Sequence, residues 1–563
     1  MTRKSKRPFV AANHSLALVL ACAIHLLSGA LARAEDDFYD VVIYGGNAAG
    51  VAAAVQADRM GKSVVLIEPS RHIGGLTSGG LGATDIGNKS AIGGISREFY
   101  RRVKRYYEDA AAWKQQRRDD YRSPRQAAGE DTMWTFEPHV AEKILRNMLA
   151  ETKAVVVYGE RLDRRKNGPG VLKHNDARIV YITMESGRKF SGRRYLDCTY
   201  EGDLMAAAGV SYTVGREANA TYGETLNGVQ TAHAKEHQLQ PGIDPYVRPG
   251  DKASGLLPGI DPNGPGEEGG ADRRVQAYCL RMCVTDAAEN RLPWTKPADY
   301  DPLQYELLLR NFEAGETRAP WSPTMMPNRK TDTNNNYGFS TDFLGASYGW
   351  PDGDYATRQR LYREHLSYQQ GLMWTLSNDP RVPEKIRRKV SRWGPAKDEF
   401  ADNGGWSHQL YVREARRMIG QYVMTQHDCQ GRRKVEDSIG LAAYTMDSHN
   451  VQRHLDANGH VRNEGDVQVG GFGPYPIAYR SIVPKQRECD NLLVPVCMSA
   501  SHIAYGSIRM EPVFMVLGQS AATAACQSID AGADVQDVDM AALQKRLRND
   551  GQVLEASRKR GGD

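Results

Sequence analysis

The stretch from Asp40 to Glu68, DVVIYGGNAAGVAAAVQADRMGKSVVLIE, leaves this chain few folds to choose from. Val41, Val42, Ile43 and Tyr44 form a short apolar run suited to a parallel strand covered on both faces. Gly45, Gly46 and Gly50 permit a tight turn and a close strand-to-helix approach. Ala48 to Met60 continues as a small-residue helix whose first N–H groups and dipole favour a pyrophosphate. Val64 to Ile67 supplies the next strand, and Glu68 follows Gly45 by 23 positions, where a carboxylate can accept hydrogen bonds from an adenosine ribose. Strand, glycine turn, helix, strand and acid together predict a dinucleotide site. One position departs from G-x-G-x-x-G: Asn47 stands where the second glycine belongs. Its side chain should crowd the pyrophosphate unless it adopts the left-handed conformation that Asn tolerates best among the non-glycines.

A chain of 563 residues suggests more than one domain. Its first 34 residues read as an export signal: basic Arg3, Lys4, Lys6 and Arg7, an apolar run Leu16 to Leu27, and Ala32-Arg33-Ala34 as a small-x-small cleavage site. Ser5-Lys6-Arg7-Pro8-Phe9-Val10 resembles a twin-arginine motif with Lys in place of the first Arg, and the expected location is periplasmic or extracellular. That segment carries five basic residues and no acidic one, so the remainder holds 68 of each sign. The balance favours neither nucleic acid nor an anionic membrane surface. No apolar run of spanning length follows, so no transmembrane segment is expected in the mature chain. The eight cysteines contain no C-x-x-C, which removes the usual spacing for a redox pair or an iron–sulfur cluster, and no metal site is expected. Cys279 and Cys283 could share a helix face; buried thiols and, in an exported protein, disulfides are both open.

Beyond Glu68 lies a glycine-dense connection, RHIGGLTSGGLGATD, with doublets at Gly74-Gly75 and Gly79-Gly80. A helix is expected within Trp134 to Leu149, entered through Pro138. Strands are expected at 154–158, 179–184 and 194–199, as a small meander returning to the sheet. Asp197, Thr199, Gly202 and Asp203 resemble a D-A-T-G-x-G-D-L strand end. From about 216 to 470 the texture changes to Pro/Gly-rich loops and then a helical-looking, aromatic and Asn-rich middle, read as an inserted α+β substrate or cap domain. The Rossmann pattern returns at Asn491 to Val496 and in a small-residue helix from Met510 to Asp530. The predicted organisation is a signal peptide at 1–34, a discontinuous α/β dinucleotide-binding domain with a parallel sheet and β-meander at 35–215 and 471–540, a cap at 216–470, and a tail at 541–563, frayed from 550.

A complete βαβ unit at the start and a strand–loop–helix some 440 residues later favour FAD over NAD, since a C-terminal helix start can meet the negative charge that develops on a reduced flavin. The motifs DVVIYGGNAAG, GGLGATD, FEPHVAE (136–142), KTDTNN (330–335), LYVREARRMIG (410–420), MDSHNVQR (446–453) and SASHIAYGSIRMEPVF resemble those of a group of bacterial FAD-dependent oxidoreductases with the glutathione-reductase-like Rossmann fold. The group shares the GG-x-x-AG departure at Asn47. The resemblance implies FAD as cofactor. It implies Gly45, Gly46, Asn47, Gly50 and Glu68 around the ADP moiety, and Gly74, Gly75, Thr77, Ser78, Gly79 and Gly80 along the pyrophosphate and flavin. Ser507, Arg509 and the amides from Glu511 to Phe514 would lie at the pyrimidine edge, with Arg509 supplying charge there or closing a structural ion pair.

Flavin oxidation needs a substrate C–H at the flavin and often a base for the O–H or N–H proton. His502, beside the C-terminal flavin segment, and His449, in the polar DSHN cluster, are the two catalytic candidates; His427-Asp428 and Glu201/Asp203 are further options, and each histidine can equally be structural. Asn334 and Asn335 could orient substrate hydroxyls or merely form turns. Trp134, Trp350, Trp374 and Trp406 suit either sugar-stacking platforms or the core. His72 and Cys497 are conceivable points of flavin attachment. The functional expectation is an exported FAD oxidoreductase that takes hydride from an alcohol or amine carbon of a polar small molecule, a carbohydrate among the candidates, and passes electrons to an unidentified acceptor. Redox-neutral, lyase-like β-elimination on a saccharide and non-catalytic flavin binding are the alternatives.

Overall fold

The computed structural model describes residues 1–2, 37–123, 125–165, 168 and 170–556. The leader-like segment and the last seven residues therefore lie outside the described residues, and with them the export reading and Cys22. Strand β1 (Asp37–Tyr44) leads through Gly45 and Gly46 into helix α1 (Ala48–Arg59) and strand β2 (Val64–Glu68), as the opening motif dictates. Val41, Val42 and Ile43 are wholly buried, which is why this strand is a continuous apolar run. Gly50 is required by close approach: a Cβ there would stand 2.0 Å from the Gly45 carbonyl oxygen.

Helices α2 (Gly94–Glu108) and α3 (Pro138–Ala150) follow, the latter with Pro138 in its first turn. Strand β3 (Val155–Tyr158) then joins the sheet, succeeded by β4 (Val171–His174), β5 (Arg178–Thr183) and β6 (Lys189–Asp197). The strand order is β3-β2-β1-β6-β5-β4. β1 pairs in parallel with both β2 and β6, whereas β4, β5 and β6 form the antiparallel meander. This is the sheet expected from the sequence except for β4, whose half-exposed VLKH carries no distinct apolar period.

The inserted region contributes a second, antiparallel sheet. It is built from β7 (Met282–Thr285), β8 (Trp321–Met326), β9 (Lys330–Asn335) and, after helix α4 (Tyr355–Asn378), β10 (Gly394–Pro395), in the order β10-β7-β9-β8. Lys330, completely buried, anchors β9: its ammonium lies 2.8 Å from Glu137, 2.8 Å from Asp398 and 2.6 Å from Glu399. Those carboxylates hold its pKa high against the cost of burial. A ribbon of β11 (Met446–Ser448) and β12 (Val467–Val469) completes the wall facing the Rossmann part.

The chain then re-enters the first sheet, where β13 (Leu492–Leu493) pairs in parallel with β6. Helix α5 (His502–Ile508) and the long α6 (Glu511–Ala531) follow. α6 lies across α1 so closely that a Cβ on Gly518 would come 2.2 Å from the Ala49 carbonyl oxygen. The small-residue texture of both helices exists for this contact. Three expectations need correction. The stretch from 541 is a helix, α7 (Met540–Asn549), with Leu543 and Leu547 buried, and the next residues, up to Leu554, pack instead of fraying: Gln552 donates to the Val516 carbonyl at 3.0 Å, and Gly551 accepts from Gly94 N–H. Cys279 and Cys283 share no helix, since Cys283 lies in β7; all seven described cysteines are buried free thiols. The middle region is mostly irregular around one long helix and shorter ones such as Glu306–Glu313 and Glu384–Ser391, because its Pro and Gly residues interrupt the remaining runs.

Candidate active site

Two cavities lie along the carboxyl ends of the parallel strands and the inserted wall. The larger, of about 460 Å³, is a groove bordered by Gly45, Asn47, Glu68, Gly75, Thr199 and Trp350. Such a crevice beyond the strand ends is where open α/β sheets take ligands.

Asn47 solves the missing-glycine problem by a route other than a left-handed backbone. Its φ of −70° and ψ of −177° are extended, and it caps α1: its side-chain oxygen accepts from Gly50 N–H at 3.1 Å, while its amide donates to the Cys198 carbonyl. The polar atoms of the side chain are thus taken up within the protein, and the amides of Ala48 and Ala49 at the start of α1 keep no intrahelical acceptor. Glu68 accepts from Gly46 N–H at 2.7 Å and, through its other oxygen, from Ser70 N–H at 2.7 Å. Burial raises its pKa, with the Ser70 and Gly46 donors pulling the other way.

The second glycine loop is tied to the C-terminal helix by Glu511. Thr77 donates to one of its oxygens at 2.6 Å and Tyr200 to the other at 2.7 Å, while Tyr200 accepts from Leu76 N–H at 2.9 Å. Burial pushes the Glu511 carboxyl up to about 7 against those two hydroxyls. Ser78 folds back on the loop, donating to the Ile73 carbonyl at 2.5 Å, and the Gly79 carbonyl receives Ser407 at 2.7 Å. Gly80 packs on the Arg281 backbone and Gly74 under Leu145. At the start of α6, Pro512 has no N–H, and Val513 and Phe514 both donate to the Met510 carbonyl. Within 511–514 this leaves the Glu511 amide as the free donor.

The smaller cavity, of about 260 Å³, is almost wholly polar. Its wall is assembled from cross-strand pairs and loop ends. Ser322 faces Asn334 across β8 and β9, and Asp447 faces Gln468 across β11 and β12. Tyr411, Tyr444, His449 and Arg509 close it. Arg509 donates to the Tyr411 hydroxyl at 3.2 Å and the Asp447 carbonyl at 3.1 Å, and its Nε has no partner among the described residues. His449 pairs through Nδ1 with Asp342 at 2.8 Å, leaving Nε2 3.8 Å from Asp447. Burial alone would raise Asp342, but Arg413, 2.9 Å away, and His449 hold it well below the carboxylate range. Asp447 is raised by burial, with His449 and Arg509 opposing.

The two histidines singled out from sequence part company. His449 lines the cavity, whereas His502 lines neither: it is 1% exposed, with Nδ1 2.7 Å from Glu414 and its backbone N–H on Glu217. Ser507 is likewise turned inward, donating to the Tyr444 carbonyl at 2.5 Å and accepting from Tyr475 at 2.6 Å. Asp203 is consumed by Arg358 and Arg416, and His427 binds the Gly223 carbonyl. None of the four tryptophans borders the smaller cavity; Trp350 borders the groove and donates to Glu201 at 3.0 Å. His72 stands at the Glu68 end of the groove, stacked on His408 at 3.8 Å, and Cys497 is buried against the Thr199 carbonyl. Tyr411, Tyr444, Asp447, Asp466 and His237 went unassigned in the sequence reading. Tyr411 and Asp447 sit inside motifs already quoted, but His237 and Asp466 carry no local signal at all.

Residues 40–547 match the family described as FAD dependent oxidoreductase. A vinyl phenol reductase of Lactiplantibacillus plantarum is 28% identical over 136 residues, a match that covers 21% of this chain and 28% of that protein. Among solved structures, L-proline dehydrogenase from P. horikoshii is 16% identical with a TM-score of 0.23, covering 32% of this chain and 59% of that one. L-amino acid deaminase from Proteus vulgaris is 15% identical with a TM-score of 0.22, covering 32% and 52%. Likenesses this slight carry nothing about substrate. The residues fit the cofactor: a glycine-built crevice, amides at the start of α1 without an intrahelical acceptor, a half-buried acid at the end of β2, and an Arg509 guanidinium with an unsatisfied nitrogen.

Proposed function

The chain belongs to the family of FAD-dependent oxidoreductases, and from that premise we propose that it oxidises an alcohol or amine carbon of a polar small molecule held in the smaller cavity. FAD, when bound, supplies the hydride acceptor. Glu68 and the amides of Ala48 and Ala49 would hold its ADP half, and Arg509 with the Glu511 amide would border the flavin end. The observation that carries the substrate assignment is the Asp342–His449 pair at the cavity wall. Asp342, kept ionised, accepts the Nδ1 proton and so leaves the Nε2 lone pair free to take a proton from a substrate hydroxyl or amine. Tyr411 and Arg509 orient the substrate and exclude bulk water from the Nε2 side.

Anaerobic mixing of the holoenzyme with a panel of polyols, sugars and amines tests this reading through bleaching of the flavin absorbance. Bleaching by none of them would remove it; product formed with no acceptor consumed would replace it by redox-neutral elimination. We also propose export through the segment before residue 35. N-terminal sequencing of protein recovered from the producing cells decides: a start at Glu35 supports it, and a retained leader removes it.

A further inference from the structure

The carboxylates that line the smaller cavity are each paired with a basic group, either in the wall or directly behind it. Asp85 lies 3.2 Å from Arg125, Asp342 lies 2.9 Å from Arg413, and Asp447 lies 3.8 Å from Arg509. Asp466 lies 2.7 Å from His237. Burial works against a charge on that imidazole, but Asp466 more than offsets it and raises its pKa. Each carboxylate thus has a basic partner within 3.8 Å, and His449, which lines the cavity, sits on Asp342. A ligand that brought a net charge into this space would find no free counter-ion, and an unpaired charge taken out of water costs several kcal/mol.

Hydrogen-bonding capacity, by contrast, is in surplus. The hydroxyls of Ser322, Tyr444 and Thr445 and the amide NH₂ groups of Asn334 and Asn336 have no hydrogen-bond partner among the described residues, although all five residues line the cavity. Polar groups gathered at one site and left unsatisfied by protein are matched by a ligand with hydroxyls on several carbons. The volume of about 260 Å³ has room for roughly nine waters at the share each takes in the liquid, the scale of one sugar ring and not of a chain of them.

Resting on the oxidation reading above, we infer that the substrate is a neutral polyhydroxylated molecule of monosaccharide size, with no carboxylate, phosphate or ammonium group. Amines, left open by the cofactor chemistry, are excluded by the charge balance. Oxidation would then pass the O–H proton of a carbinol to His449 Nε2 and leave a carbonyl product, with bound FAD supplying the acceptor for the carbon-bound hydride.

The test uses the holoenzyme with matched sets: neutral aldoses and cyclitols, the corresponding aldonic and uronic acids, and amino sugars. Anaerobic flavin reduction and equilibrium dialysis are both read. Neutral members should reduce the flavin with kcat/KM at least about 100-fold above their charged counterparts, the effect of leaving one charge unpaired. The Asp447→Asn variant, whose wall gains one net positive charge, should shift that preference toward the acids, which a cavity selecting by shape alone would not do. Faster reduction by an acid or amine overturns the inference while leaving oxidation intact. Saturable binding of neutral sugars without reduction sustains it while overturning the oxidation. Binding of no neutral polyhydroxylated compound overturns it outright.

Discussion

The cofactor groove and the polar cavity are built by opposite means. The groove is a backbone device: Gly45, Gly50 and Gly75 are there because a Cβ would strike the Gly45 carbonyl, the Cys198 backbone or Tyr200, and its one essential acid follows the first glycine within a single βαβ unit. The cavity is a side-chain device, contributed by residues as far apart as Asp85, His237, Ser322, Tyr411 and Arg509. Backbone shape tolerates little substitution but is written in short motifs. A side-chain cavity can be retuned one residue at a time, and its members signal nothing individually.

Three substitutions press on that contrast. Gly50→Val should abolish holoenzyme: with the Cβ 2.0 Å from the Gly45 oxygen the turn must open, at a cost of about 3 kcal/mol or more, and the flavin-to-protein ratio after purification and the thermal melt should both collapse. A yellow variant with an unchanged melt would show that the groove does not depend on this approach. His449→Asn should keep the flavin and lower the rate of its reduction by substrate by about 10²- to 10⁴-fold. His502→Gln provides the counterpart. It removes the imidazole from the buried Glu414 carboxylate, which keeps only Gln276 N–H and the more distant Arg417, and so costs stability, by about 1–3 kcal/mol, while the reduction rate of the folded protein stays near that of the parent. Should His502→Gln slow reduction as much as His449→Asn, the cavity would lose its claim to be the reaction site.

The smallest effect lies at the seam between the two regions. Glu511, raised to about 7 from the usual 4.5 by burial, keeps a proton in the folded state that the unfolded chain has already released. Its contribution to stability is therefore whole below about pH 4.5 and is lost as pH rises through about 7. Between about pH 5 and 8 the melting temperature of the parent should fall more steeply than that of Glu511→Gln, the difference amounting to at most a few kcal/mol. Parallel profiles would mean that Thr77 and Tyr200 already hold Glu511 ionised.

Much of the first region was legible. The order strand, glycine turn, helix, strand and acid is a local code, because each element is specified within its own dozen residues, and the later return of β13 and α6 carried the same small-residue signature. Asn47 was legible as a departure but not in its solution: whether an Asn bends into αL or caps its helix depends on a carbonyl 151 positions away, at Cys198. The packed C-terminal end from 540 is not legible for the same reason, since Gln552 finds its partner on α6 and Leu554 at Ser438, both far away in sequence.

By itself, then, the chain's sequence determined a Rossmann sheet, a dinucleotide crevice and a pool of candidate polar residues, since these rest on backbone geometry and periodicities that operate over neighbouring positions. The tertiary structure alone decided which candidates meet. It set His449 on Asp342 beside Arg509 and buried His502 on Glu414, because a hydrogen bond a few ångströms long is indifferent to sequence separation and depends only on where two folded elements come to rest.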